Sequence, residues 1–155
     1  SSAPFPSWMG AGIAKFMCAI GKTKEKAFIG KPFDPKNETF EASFGTSRAR
    51  FDYYARKRLE NAHLQNTAPT YGWVKEAVGV TKVLLYKELD RQIETPLLLC
   101  QASRDTVVCL PEQNRFVSLL PHAQLRAFDA KHEIYMSTND IMREYVPTVI
   151  EFLRG

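Results

Sequence analysis

The chain has 155 residues, 45% of them apolar and 25% charged, with a net charge of +4 and a pI near 9.0. That length and balance are ordinary for one soluble globular domain or a piece of one. No uninterrupted apolar run reaches the eighteen or so residues a membrane-spanning helix needs.

In chain order, Ser1-Ser2-Ala3-Pro4-Phe5-Pro6 lacks a methionine, a basic n-region and an apolar h-region. It is expected to be the interior of a longer chain rather than a signal peptide. Ser7 can cap a helix whose apolar members Trp8, Met9, Ile13, Phe16, Met17 and Ile20 recur near helical spacing, and Gly21 with Lys22 and Lys24 ends it. Residues 28–45 are rich in Gly, Pro, Asp and Asn and read as loop. A second helix is expected from Ser47 to Glu60, with Tyr54 and Leu59 inward and the arginines outward. A third begins near Pro69, a favoured first-turn residue, and runs through Tyr71, Trp73, Val74 and Val78 to about Leu89.

The character changes at Thr95. Residues 96–102, Pro-Leu-Leu-Leu-Cys-Gln-Ala, form a continuous apolar run, as in a strand buried on both faces. Ser103-Arg104-Asp105 follows as a loop, and Pro111 opens a helix through Phe116, Val117 and Leu120. Residues 123–128 form a second strand and Lys131-His132-Glu133 the next loop. Thr138, Asn139 and Asp140 can cap a final helix, in which Pro147 is expected to introduce a kink or start a new first turn. This order is a parallel βαβ unit with the usual right-handed crossover. Two parallel strands alone leave open edges and bury too little. The remaining strands are therefore expected from a missing N-terminal half, or cover for the open edge from a second copy.

Asp105 and His132 each fall just past the carboxyl end of a strand, the edge at which open α/β sheets bind ligands. An aspartate there can hold the Nδ1 proton of the histidine. The histidine can then serve as general base towards a serine hydroxyl and as general acid towards the leaving group. His63, in a polar run, and His122, after Pro121, read as surface groups, and Glu133 as a loop hydrogen-bonding group. The cysteines Cys18, Cys100 and Cys109 form no C-x-x-C pair and the histidines are scattered, so neither a zinc site nor any other metal is expected. They read as free thiols of a reducing compartment, with Cys100 a buried small hydrophobe. The basic residues cluster early, at Lys22, Lys24 and Lys26 and again at Arg48, Arg50, Arg56, Lys57 and Arg58. They read as a solvated face without the signature of a nucleic-acid-binding module, so no nucleic-acid partner is expected. The stripe of Trp8, Met9, Phe16 and Met17 reads as helix packing, or alternatively as an acyl-chain groove or a membrane-facing patch.

Thr95-Pro96-Leu97-Leu98-Leu99 with Ser103-Arg104-Asp105-Thr106-Val107-Val108 resembles the acid loop of the monoacylglycerol-lipase and lysophospholipase group of serine α/β-hydrolases. Ala130-Lys131-His132-Glu133-Ile134 resembles that group's histidine loop. Ala68-Pro69-Thr70-Tyr71-Gly72-Trp73 and Phe44-Gly45-Thr46-Ser47 resemble segments of its bacterial lysophospholipase branch. The resemblance implies an α/β-hydrolase fold, of which this chain is the C-terminal part. Residues 1–6 would be a remnant of a core strand, 7–68 a helical cap and 69–155 the last βαβα unit of a mostly parallel sheet. It also implies hydrolysis of carboxylic esters of single-chain lipids, lysophospholipid or monoacylglycerol, through a Ser-Asp-His triad with Asp105 and His132 as acid and base. No cofactor is implied, and the setting would be cytoplasmic, peripheral on the inner membrane. The departure lies in the nucleophile. The G-x-S-x-G turn that presents the serine is missing, and the nearest string, Gly45-Thr46-Ser47-Arg48-Ala49, lacks the second glycine. The chain alone is therefore expected to be inactive, with a non-catalytic lipid- or protein-binding remnant as the alternative.

Overall fold

The computed structural model describes residues 7–27, 32–86 and 92–155, and of residues 7, 8 and 81–86 the backbone alone. The expected core-strand remnant at 1–6, the loop residues 28–31 and the end of the third helix at Leu89 lie outside the described residues. The helix α1 spans Ser7–Ala19, α2 Arg48–Glu60 and α3 Tyr71–Tyr86. The strand β1 (Leu97–Ala102), helix α4 (Leu110–Ser118), strand β2 (Ala123–Phe128) and helix α5 (Asn139–Arg154) follow.

Helices α1 and α3 meet through small residues and a backbone bridge. Ala14, Ala27 and Tyr71 are buried together, flanked by Ile13, Met17, Cys18 and Val74. Between α1 and α3 the chain closes on itself: the Ala27 amide donates to Pro69 O (2.8 Å), Tyr71 to Glu25 O (3.0 Å) and Gly72 to Thr23 O (2.9 Å). A side chain at Gly72 would put its Cβ 2.6 Å from Thr23 Cγ2 and 3.1 Å from Thr23 O, so only glycine lets these segments approach so closely. The third helix starts two residues later than Pro69 because Thr70 is its cap, accepting the Trp73 amide at 3.2 Å. On the expected apolar stripe of α1, Met17 packs inward while Phe16 is exposed.

Helix α2 overturns part of its sequence reading. Phe51 and Arg58 are its buried residues, whereas Leu59 and Tyr54 are exposed. The Arg58 guanidinium pairs with Glu38, donates to Leu64 O (3.2 Å) and Asn66 O (3.3 Å), and lies 4.7 Å from the Phe33 ring centroid. An arginine can be buried when its donors and its flat face find partners, and each of the three guanidinium nitrogens of Arg58 donates one bond here. The basic cluster is therefore not one solvated face.

The strands β1 and β2 pair in parallel, in register from Leu97 opposite Ala123 to Ala102 opposite Phe128. The buried Gln101 anchors the crossover, its Nε2 donating to Gln113 Oε1 (2.9 Å) and Asn114 Oδ1 (3.0 Å) on α4. Phe128 packs edge-on against Tyr145 of α5, ring centroids 5.4 Å apart, beside Ala102, Ala130 and Ile134. Helix α5 runs unbroken through Pro147.

Burial on both faces of the first strand is not observed. Leu97 to Cys100 are half-buried, Cys100 included, and β2 alternates half-buried with exposed residues from Ala123 to Arg126. Among the described residues β1 pairs with β2 alone. A parallel strand becomes dry only when neighbours flank it and layers cover both faces. Burial is complete at the carboxyl ends, at Gln101, Ala102 and Phe128, where the following loops fold over the sheet. No helix among the described residues is long and apolar enough to cross a membrane.

Candidate active site

The two loops at the carboxyl ends of the strands continue the sheet's pairing beyond it. The Ser103 amide donates to Phe128 O (2.9 Å) and Arg104 to Ala130 O (3.0 Å). Arg104 Nη2 also donates to Asp129 O at 2.7 Å. This zipper places the residue after Arg104 opposite the residues after Ala130, which is itself fully buried.

Asp105 and His132 meet there. His132 Nδ1 lies 2.7 Å from Asp105 Oδ2. The other carboxylate oxygen, Oδ1, accepts the Val107 amide at 2.7 Å and the Val108 amide at 3.1 Å. The Asp105 side chain is 4% exposed and that of His132 35%. Burial alone would raise the aspartate's pKa, but the His132 hydrogen bond and the two amides outweigh it and hold the carboxyl below its ordinary value. A carboxylate facing Nδ1 keeps the proton on that nitrogen and leaves the Nε2 lone pair for another group. The pair is built as an anchored acid beneath a base that solvent or a ligand can reach.

His63 and His122 are both exposed, His122 at the amino ends of the strands where its carbonyl accepts the Leu97 amide (3.1 Å), and Glu133 accepts the Tyr135 hydroxyl at 3.2 Å, as loop residues would. Cys18 and Cys100 are half-buried, Cys109 is exposed, and all three thiols are free. No cluster of three or more metal-ligating side chains occurs among the described residues. A cavity of about 250 Å³ lies between α2 and the histidine loop, lined by Phe44, Tyr54, Arg58, Glu133 and Met136 among others. The supporting contacts of Phe44 and its neighbours on this loop were missed in the sequence. The Phe-Gly-Thr-Ser string is the one signal that could have found them.

No family model matches the chain. Over 96% of its length it superimposes on a soluble variant of the monoglyceride lipase from Saccharomyces cerevisiae in complex with a substrate analogue, with a TM-score of 0.67 at 11% identity. Over 99% it superimposes on the monoacylglycerol lipase of Paleococcus ferrophilus, with a TM-score of 0.64 at 18% identity. The chain has the α/β-hydrolase fold. Its two parallel strands and helices are consistent with the C-terminal part of such a hydrolase. In sequence this α/β-hydrolase chain is 25% identical, over 107 residues and 68% of its length, to the probable lysophospholipase L2 of Haemophilus influenzae. Its similarity is thus to the lysophospholipase and monoacylglycerol-lipase-like α/β-hydrolases. The chain spans 34% of the curated relative and 48% and 55% of the two lipase structures.

Proposed function

We propose that this α/β-hydrolase chain contributes the acid and the base of a serine esterase acting on single-chain lipid esters, lysophospholipid or monoacylglycerol. The observation that carries the reading is the 2.7 Å contact between His132 Nδ1 and a carboxylate held by two backbone amides. In this reading His132 Nε2 takes the proton of a serine hydroxyl as that oxygen attacks the ester carbonyl. His132 then returns the proton to the leaving alcohol oxygen, and a water repeats the cycle to release the fatty acid. Asp105 orients the ring and stabilises its cationic form.

The serine belongs to a polypeptide segment outside these 155 residues, which hold no G-x-S-x-G turn. The chain by itself would therefore not hydrolyse esters. Residues 7–68 would act as a cap over the pocket and 69–155 as the end of the core sheet. The names of the similar proteins support the lipid ester class. For its setting we propose the inner face of the cytoplasmic membrane. A second reading, a binding remnant without catalysis, is favoured by the missing nucleophile turn.

The deciding experiment is intact mass of the purified gene product under denaturing conditions, together with labelling by a fluorophosphonate serine probe. A larger species that labels supports the esterase. A species of 17.6 kDa that never labels supports the remnant.

A further inference from the structure

The histidine loop is held from a direction the triad does not require. The segment from Ser43 to Ser47, which leads into α2, lies along residues 131–137 and bonds to them repeatedly. Lys131 Nζ donates to Ser43 O (3.2 Å) and the Glu133 amide to Phe44 O (3.1 Å). The Thr46 and Ser47 amides both donate to Met136 O, at 3.1 and 2.9 Å. Arg50, one turn into α2, reaches across to Ser137 O and Asn139 Oδ1, each at 2.9 Å. The Phe44 ring meets the His132 imidazole edge-on, centroids 5.9 Å apart at 78°. Gly45 sits at the tightest point: a Cβ there would lie 2.7 Å from Met136 Cβ and 2.9 Å from Met136 O.

These hydrogen bonds span 87 to 90 residues of sequence, so the chain brings the segment back to this loop from a distant helix. They do not touch the Asp105 side, whose anchors are the Val107 and Val108 amides. The imidazole is thus held at Nδ1 by Asp105 and met edge-on by the Phe44 ring, while the loop that carries it is bonded to the backbone of residues 44–47. Resting on the base role proposed above, we infer that Phe44 and Gly45 are positioning residues for His132. They fix the ring plane and the height of its loop, so that Nε2 is presented at a set place. Neither residue exchanges a proton with substrate. The glycine is required because the 136 backbone occupies the space of its side chain, and the phenyl ring because a flat edge limits rotation of the imidazole.

The test uses the full-length gene product labelled with ¹⁵N-histidine. Its ring signal for His132 is assigned by loss in His132→Gln, and far-ultraviolet circular dichroism and the melting temperature report that each variant is folded. Gly45→Ala and Phe44→Ala are expected to move or abolish the Nδ1 proton resonance of His132 and leave the His63 and His122 signals unchanged. On an ester substrate both should lower kcat on the order of ten- to a hundred-fold, the scale of a misplacement of about 1 Å, with KM unaltered. Phe44→Tyr, which keeps the ring, should restore both readouts, and Tyr53→Ala on exposed α2 surface should change neither. Should Gly45→Ala fail to fold, Phe44→Ala decides alone, since Phe44 is 45% exposed and its loss leaves no large cavity. Folded variants with an unmoved His132 signal would overturn the inference. A natural protein that neither labels nor hydrolyses esters would instead overturn the proposed function, while the nuclear-resonance arm still decides positioning.

Discussion

Replacing Asp105 by Asn separates the acid's role in catalysis from its role in holding the loop. The amide oxygen of the new side chain can still accept the Val107 and Val108 amides, which bond Asp105 Oδ1 at 2.7 and 3.1 Å. Its NH₂ group then faces His132 Nδ1, now 2.7 Å from Asp105 Oδ2, and a donor there forces Nδ1 to become the acceptor. The ring proton moves to Nε2, the nitrogen that has to take the serine proton. For stability, a charge-assisted bond of about 1.5–3 kcal/mol becomes a neutral one of about 0.5–1.5 kcal/mol. Because the His132 side chain is 35% exposed, solvent screening sets the loss near the lower end, about 1 kcal/mol. For the reaction, the precedent of serine proteases with this same change is a loss on the order of 10⁴ in kcat, or about 5–6 kcal/mol of barrier. Urea denaturation gives the first quantity and ester hydrolysis by the full-length protein the second. A kcat loss below ten-fold, or one no larger than the loss of stability, would refute the tautomer argument.

The depressed carboxyl of Asp105 also sets a pH response. Its native pKa lies below the unfolded value, so the stability it contributes is present above about pH 4 and is lost as pH falls through the native pKa. Urea midpoints between pH 7 and pH 2.5 should show this component in the natural protein and lack it in Asp105→Asn. Arg58→Ala should cost roughly 3 kcal/mol in urea denaturation, because it leaves Glu38 and two carbonyls without their partner. The neighbouring Arg56→Ala, whose pair with Glu60 at 4.0 Å is more than half exposed, should cost under about 0.5 kcal/mol by the same measurement. Gly72→Ala should destabilise by about 1–3 kcal/mol through its clash with Thr23, read as a lowered melting temperature, with little effect at the His132 resonances.

The sequence by itself determined the elements and the pair. Six residues of alternating exposure were legible as β2 from their composition, and the bounds of β1 and α5 differ from expectation by a residue or so, because strand runs, Pro and capping residues act locally. The order strand, loop acid, helix, strand, loop histidine sufficed to put Asp105 and His132 at one edge, since a parallel crossover returns the chain to the same side. The tertiary structure alone decided three matters. It buried Arg58 on a helix whose arginines were expected to face outward, because the carbonyls and the Phe33 ring that match it come from segments on either side. Among the described residues it gave β1 one neighbour, β2, and so left it half-buried, because a parallel strand is dry only with strands on both sides and layers on both faces. And it laid Phe44 and Gly45 against the histidine loop. Contacts across nearly ninety residues leave no periodic trace in the chain, and the need for glycine at 45 arises only from the atom that stands opposite it.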